Sequence, residues 1–135
     1  MMPDGEHRDL AVRWLKASYI AGAVADGVVG ILMLIPYWVA EEEFRFSMGV
    51  GASLMFGWTA LLLWAYQEPE ERKGILLLTI FPVIPGLVAT QVWALAADQV
   101  SVQRGLPPMM GSLALALLMG FSYWKASAVG DRDAG

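Results

Sequence analysis

The stretch Ala17-Ser-Tyr-Ile-Ala-Gly-Ala-Val-Ala-Asp26-Gly-Val-Val-Gly-Ile-Leu-Met-Leu-Ile-Pro36 decides the fold class. About 20 apolar residues, rising 1.5 Å each, cover the ~30 Å hydrocarbon core of a bilayer. This stretch has that length, and it holds one acidic side chain, Asp26, at its centre. Carboxylates at bilayer depth are costly, so Asp26 is by default a functional-site hypothesis.

Working outward, the spacing predicts spans over about 16–38, 46–66, 74–97 and 108–125, within a single four-helix transmembrane domain covering 1–135. Asp26 is the only acidic or basic side chain in the interior of any of them. The connections over 39–45, 67–73 and 98–107 are short, and short connections make sequential helices antiparallel. The expected fold class is therefore all-α: a polytopic membrane protein, an antiparallel bundle of four transmembrane helices with the third helix kinked.

Composition agrees. The 135 residues are 57% hydrophobic and only 16% charged, whereas soluble domains carry roughly 25% charged residues. The absence of cysteine excludes disulfides, thiolate metal sites and cysteine nucleophiles. The one histidine, His7, lies in a polar N-terminal stretch, leaving haem ligation and histidine catalysis without raw material. A net charge of −4 excludes a broadly basic nucleic-acid-binding surface. Asp4, Glu6, His7, Arg8 and Asp9 precede a full-length span, so a cleavable signal is not expected.

Lysine and arginine set the expected orientation. Arg8, Arg13, Lys16, Arg72, Lys73, Lys125 and Arg132 fall on the side shared by both termini, against Arg45 and Arg104 on the other. Positive residues stay cytoplasmic, so a multi-pass protein of the cell (inner or plasma) membrane with both termini inside is expected. Trp14, Tyr19, Trp64, Tyr66, Tyr123 and Trp124 would mark the cytoplasmic rim, and Tyr37, Trp38 and Trp93 the outer one.

Several features share the midplane. Ser18, Gly22, Asp26 and Gly30 recur every fourth residue on one face of the first span. Gly49, Ser53 and Gly57 do so on the second, followed by Trp58 and Thr59, while Ser112, Ala116 and Gly120 do so on the fourth. Small residues at this spacing let helix backbones approach closely. In the third span, Thr79-Ile-Phe-Pro82-Val-Ile-Pro85-Gly86 puts two prolines and a glycine near the centre. Each proline removes a donor, so the carbonyls of Leu78 and Phe81 lose their usual partners and a kink or unwound stretch is expected. Freed carbonyls in lipid must find a donor or line a cavity.

Asp26, Trp58, Thr59, Pro82, Pro85 and Gly86 are thus the candidate ion- or substrate-binding residues, with Gly22, Gly30, Gly49, Ser53, Gly57, Ser112 and Gly120 as helix-packing residues. An asparagine would make the same interhelical hydrogen bonds without a charge to bury, so an acid here suits reversible proton or cation binding. Thr90 and Gln91 could extend a polar path from Asp26 or equally satisfy backbone groups. Glu41–Glu43 read as a solvated outer loop, and Glu68, Glu70, Glu71, Arg72 and Lys73 as a solvated turn.

Four short helices with one embedded carboxylate on the first resemble, in architecture, the small multidrug-resistance transporters. That resemblance implies a transport role, with Asp26 where those proteins carry a glutamate. They are generally shorter, and some members have little lysine and arginine bias, unlike this chain. Tyr19-Ile-Ala-Gly-Ala-Val-Ala-Asp-Gly27 and Phe46-Ser-Met-Gly-Val-Gly-Ala-Ser-Leu-Met-Phe-Gly-Trp58 are also similar to small uncharacterised prokaryotic four-helix membrane proteins, a likeness that carries no activity.

The expected function is a transporter or channel-like protein using Asp26 for proton or cation binding. The alternative is a non-catalytic accessory, assembly or lipid-binding membrane subunit. Expected partners are the lipid bilayer and a second copy or another membrane protein, with no nucleic acid and no cofactor. One buried acid without a second intramembrane acid or base gives no acid–base pair, so neither catalytic residues nor a metal site is expected.

Overall fold

The computed structural model describes residues 4–35 and 45–133. It is all-helical: α1 (Asp4–Leu34), α2 (Arg45–Gln67), α3 (Gly74–Leu78), a π-helical segment (Thr79–Val83), α4 (Ile84–Ala96) and α5 (Val102–Asp133). Four stretches are long and apolar enough to cross a membrane: Gly5–Leu34, Arg45–Gln67, Gly74–Ala96 and Val102–Ala128. The third is α3, the π segment and α4 together.

The first helix starts well before its expected beginning and stops four residues short of its expected end at 38, and the last runs past both of its expected ends. α1 begins in the charged stretch at Asp4 and ends at Leu34, so Ile35 leaves the helix just ahead of Pro36, whose ring disfavours helical backbone in the residue before it. Tyr37, Trp38 and Glu41–Glu43 lie outside the described residues. α5 starts at Val102 rather than Pro108 and carries Pro107 and Pro108 within its helical run. The acceptors those prolines leave unserved belong to Gln103 and Arg104, both exposed at the helix end.

Apolar side chains cover the outside of the molecule. Phe46, Phe81 and Leu117 are each more than 70% exposed, as expected where the surrounding solvent is hydrocarbon. The buried centre is small and includes Leu15, Tyr19, Leu62, Leu76 and Met119. α1 packs along α2 and α5, and α4 packs on α5. Gly22 makes these approaches possible: a Cβ there would stand 2.6 Å from Met119 Cε and 3.0 Å from Leu62 Cδ1. At Gly30 a Cβ would stand 2.9 Å from the Phe56 ring.

Polar contacts tie one end together. Tyr19 donates its hydroxyl to the Arg72 carbonyl at 3.0 Å, and Arg8 pairs with Glu70 at 2.9 Å. Arg72 stacks on the Trp64 ring and bonds the Trp64 carbonyl and the Glu68 carboxylate. Deeper in, Ser18 and Ser122 share a buried hydrogen bond of 2.6 Å between α1 and α5. Ser122 also reaches the carbonyls of Leu118 and Trp14. At the opposite end of the third span, Asp98 takes the left-handed conformation (φ 53°), which aspartate tolerates better than most residues, and closes α4.

Pro82 lies inside the π segment, and the Ile84 N–H bonds back five residues to the Thr79 carbonyl. A π turn widens the ring by one residue. It therefore offers the carbonyl that Pro82 cannot serve, that of Leu78, to the N–H of the following residue. Pro85 follows in the first turn of α4, directly after the π segment.

Candidate functional site

Asp26 sits in the C-terminal half of α1, at the centre of the apolar stretch 17–36, and lines a cavity of about 700 Å³. The walls come from all four spans: Val24, Val28, Val29 and Met33 on α1; Met55 on α2; Thr79, Val83, Ile84, Leu87 and Gln91 on the third span; and Pro108, Ser112, Ala114, Leu115 and Leu118 on α5. Hydrophobic side chains dominate, with a few polar groups converging, the usual character of a ligand site.

The polar groups are not equivalent. Thr79 donates its hydroxyl to the Ile75 carbonyl at 2.9 Å and accepts from Trp58 Nε1 at 3.2 Å. Ser112 donates to the Pro108 carbonyl at 3.0 Å. Both hydroxyls are committed to their own helix. Gln91 Oε1 is buried and meets no hydrogen-bond partner. Among the described residues nothing hydrogen-bonds or ion-pairs with Asp26. Asp26 is thus the lining carboxylate left without a protein partner, while Gln91, also on the wall, keeps its Oε1 buried.

The residues expected near Asp26 part company here. Trp58 turns its indole to Thr79, and Thr59 bonds the Met55 carbonyl at 2.8 Å, so neither serves the carboxylate. Thr59 lies against Gly27 instead. Pro82, Pro85 and Gly86 are exposed and do not line the cavity. Of the polar path expected above Asp26, Gln91 reaches the cavity, while Thr90 bonds the Gly86 carbonyl at 2.8 Å on the exposed side.

The packing stripes also divide. Gly22 and Gly30 are filled by neighbours, but a Cβ at Gly49, Gly57 or Gly120 would meet nothing within 4 Å. Ser53 bonds the Gly49 carbonyl at 3.0 Å and is otherwise exposed. Ser112 faces the cavity rather than a helix backbone. Thr79 is the site residue that spacing alone did not single out. Its signal was a hydroxyl one turn before Pro82, where the helix is bound to change register. No group of three or more histidine, cysteine, aspartate or glutamate side chains gathers among the described residues.

The chain matches no protein-family model, no curated protein and no solved structure.

Proposed function

We propose that this chain is a small transporter or channel-like protein of the cell membrane, with Asp26 as its proton- or cation-binding group. The observation that carries the reading is the carboxylate of Asp26 on the wall of an apolar cavity in mid-span, without a protein partner among the described residues. A group kept for interhelical bonding would be engaged by a neighbouring helix. One left facing a cavity is available to a ligand. Asp26 is also the only titratable side chain on that wall, which favours binding over acid–base catalysis.

In this reading the four spans form an antiparallel bundle whose third member bends at the π segment, and both termini are cytoplasmic, as the seven-to-two distribution of lysine and arginine favours. Four short helices enclose little volume, so the working unit is an oligomer. The test is pH-dependent flux into liposomes carrying wild type or Asp26→Asn. Loss of flux in the variant supports the proposal, and unchanged flux ends it.

A second reading, an accessory or assembly subunit, is favoured by a separate observation. Gly49, Gly57, Gly86 and Gly120 leave space unfilled on outward faces of α2, the third span and α5. Small residues of this kind allow another helix to dock. Co-purification of a stoichiometric membrane partner favours this reading; a stable homo-oligomer of the isolated chain counts against it.

A further inference from the structure

Two side-chain stripes run up the outer side of the α1–α5 contact. On α1, Trp14, Ala17, Ala21, Val24 and Val28 follow three- and four-residue steps, which places them on one helix face. On α5, Lys125, Phe121, Leu118 and Ala114 do the same in the opposite chain direction. The stripes meet at the bottom, where Trp14 and Phe121 stand edge to face with centroids 5.2 Å apart. They end at the top as co-liners of the cavity, through Val24 and Val28 on one side and Ala114 and Leu118 on the other. Between these points Ala17 and Ala21 present only methyl groups, with Ala17 exposed and Ala21 half-buried. The two stripes and the methyl groups between them form an apolar strip that runs up to the cavity.

The foot of the strip is cationic and aromatic. Lys125 Nζ lies 5.8 Å from the Trp14 ring centre and 5.4 Å from that of Phe121. Trp124 flanks Phe121 at 6.3 Å and is 65% exposed. Among the described residues no carboxylate pairs with Lys125, and neither the Trp14 nor the Trp124 indole N–H is bonded to the protein. Lys125, half-exposed beside Trp14, therefore brings a cation without a carboxylate partner among the described residues to the depth where tryptophan and lysine mark the membrane interface. From Trp14 to Val24 is ten residues of helix, or ~15 Å, which is half the hydrocarbon thickness of a bilayer.

We infer that this strip is a shallow groove that binds an anionic phospholipid, its phosphate held by Lys125 beside Trp14 and one acyl chain laid over Ala17 and Ala21 into the cavity mouth. The phosphate end alone would suit a free anion. The continuous apolar floor and its one-leaflet length select a lipid. The inference stands apart from the role of Asp26, which it leaves untouched.

The test is native mass spectrometry of the detergent-solubilised full chain with phosphatidylglycerol or phosphatidylcholine of matched chains, and with inorganic phosphate. Wild type retains phosphatidylglycerol in preference to phosphatidylcholine by about fivefold, the scale of one lysine at a charged surface. Lys125→Gln, a change at a half-exposed side chain, removes the preference. Ala21→Phe, which fills the groove, lowers retention of both lipids. Phosphatidylglycerol preference that survives Lys125→Gln overturns the site, as does equal retention of the two lipids by wild type. Binding of inorganic phosphate as tight as that of the lipid overturns the role of the groove. A lipid preference lost in Lys125→Gln with flux intact, or flux lost in Asp26→Asn with the lipid preference intact, separates the two proposals.

Discussion

The indole N–H of Trp58 donates to the hydroxyl of Thr79 at 3.2 Å, tying the middle of α2 to the first residue of the π segment. Thr79 passes the interaction on to the Ile75 carbonyl, so the link anchors α3 immediately below the change of helical register. The bond belongs to the architecture of the third span, and Asp26 is not part of it.

Trp58→Phe keeps most of the ring volume and removes the donor. Interhelical hydrogen bonds in membranes average ~0.6 kcal/mol, so a destabilisation of about 0.5–1 kcal/mol is expected in detergent unfolding. Because Trp58 and Asp26 share no partner, the double variant Trp58→Phe/Asp26→Asn should be additive to within about 0.5 kcal/mol. A larger coupling would place the two in one network.

Asp26→Asn preserves shape and removes the capacity for charge. With no protein group on the carboxylate, the variant should stay within about 0.5 kcal/mol of wild type in thermal or denaturant unfolding at neutral pH. A collapse of the fold would make Asp26 interhelical glue, and the transport proposal would lose its support.

The glycines are expected to sort by what surrounds them. Gly57→Ala adds a methyl group into open space and gains helix propensity of up to ~1 kcal/mol, so it is neutral or stabilising in the isolated chain. Gly22→Leu drives a side chain into Met119 and Leu62 and should cost at least about 1–3 kcal/mol. Unfolding of the two variants side by side checks both. A Gly57→Ala variant that is destabilised only in the membrane would reveal a helix docked on that face.

The ion pair of Arg8 and Glu70 gives a pH dependence with a fixed sign. The hydrogen bond from Arg8, reinforced by the charges of Arg8 and Lys73, holds the Glu70 carboxyl below its ordinary value of 4.5, against a smaller opposing effect of burial. The folded form is the weaker proton binder, so this stabilisation is complete above the unfolded value and disappears as pH falls through the folded one. Both side chains are largely in solvent, 59% and 42% exposed, which limits the pair to about 0.2–1 kcal/mol and makes it sensitive to salt. Glu70→Gln should flatten the acid limb of the stability curve at low ionic strength and have little effect at 1 M salt. An unchanged acid limb in that variant would assign the loss to other carboxylates.

Hydropathy made the second and third spans legible almost to the residue, 46–66 against Arg45–Gln67 and 74–97 against Gly74–Ala96. Their ends coincide with the limits of the apolar stretch. α1 and α5 escaped the same reading because they continue through Asp4–Arg13 and Ala126–Asp133, where hydropathy is silent and helix propensity carries on. For Asp26, depth was legible and rotation was not. Counting turns from each helix end brought Asp26, Trp58 and Pro82 to a common level. The faces that meet there depend on how the helices roll against each other, and the π segment shifts that roll within a single span. Ser122 was missed for a related reason: it sits among Phe121, Tyr123 and Trp124, whose rim signal hid a hydroxyl that turns inward to Ser18.

The π segment has a consequence for how this sequence can change. A turn with one residue to spare leaves everything beyond it rotated by about 100° from where an unbroken α-helix would carry it. The half from Gly74 to Thr79 is pinned by Trp58 at Thr79 and, just ahead of it, by Tyr19 at the Arg72 carbonyl, while the half from Ile84 to Ala96 follows α5. Loss of a single residue between Thr79 and Val83 would let the ladder close as ordinary α-helix with Gln91 still facing the cavity, whereas straightening the segment with all five residues kept would swing Gln91 out of it. The third span thus works as two gears on one shaft, and the tooth count of five residues at the joint decides which side chains the cavity sees.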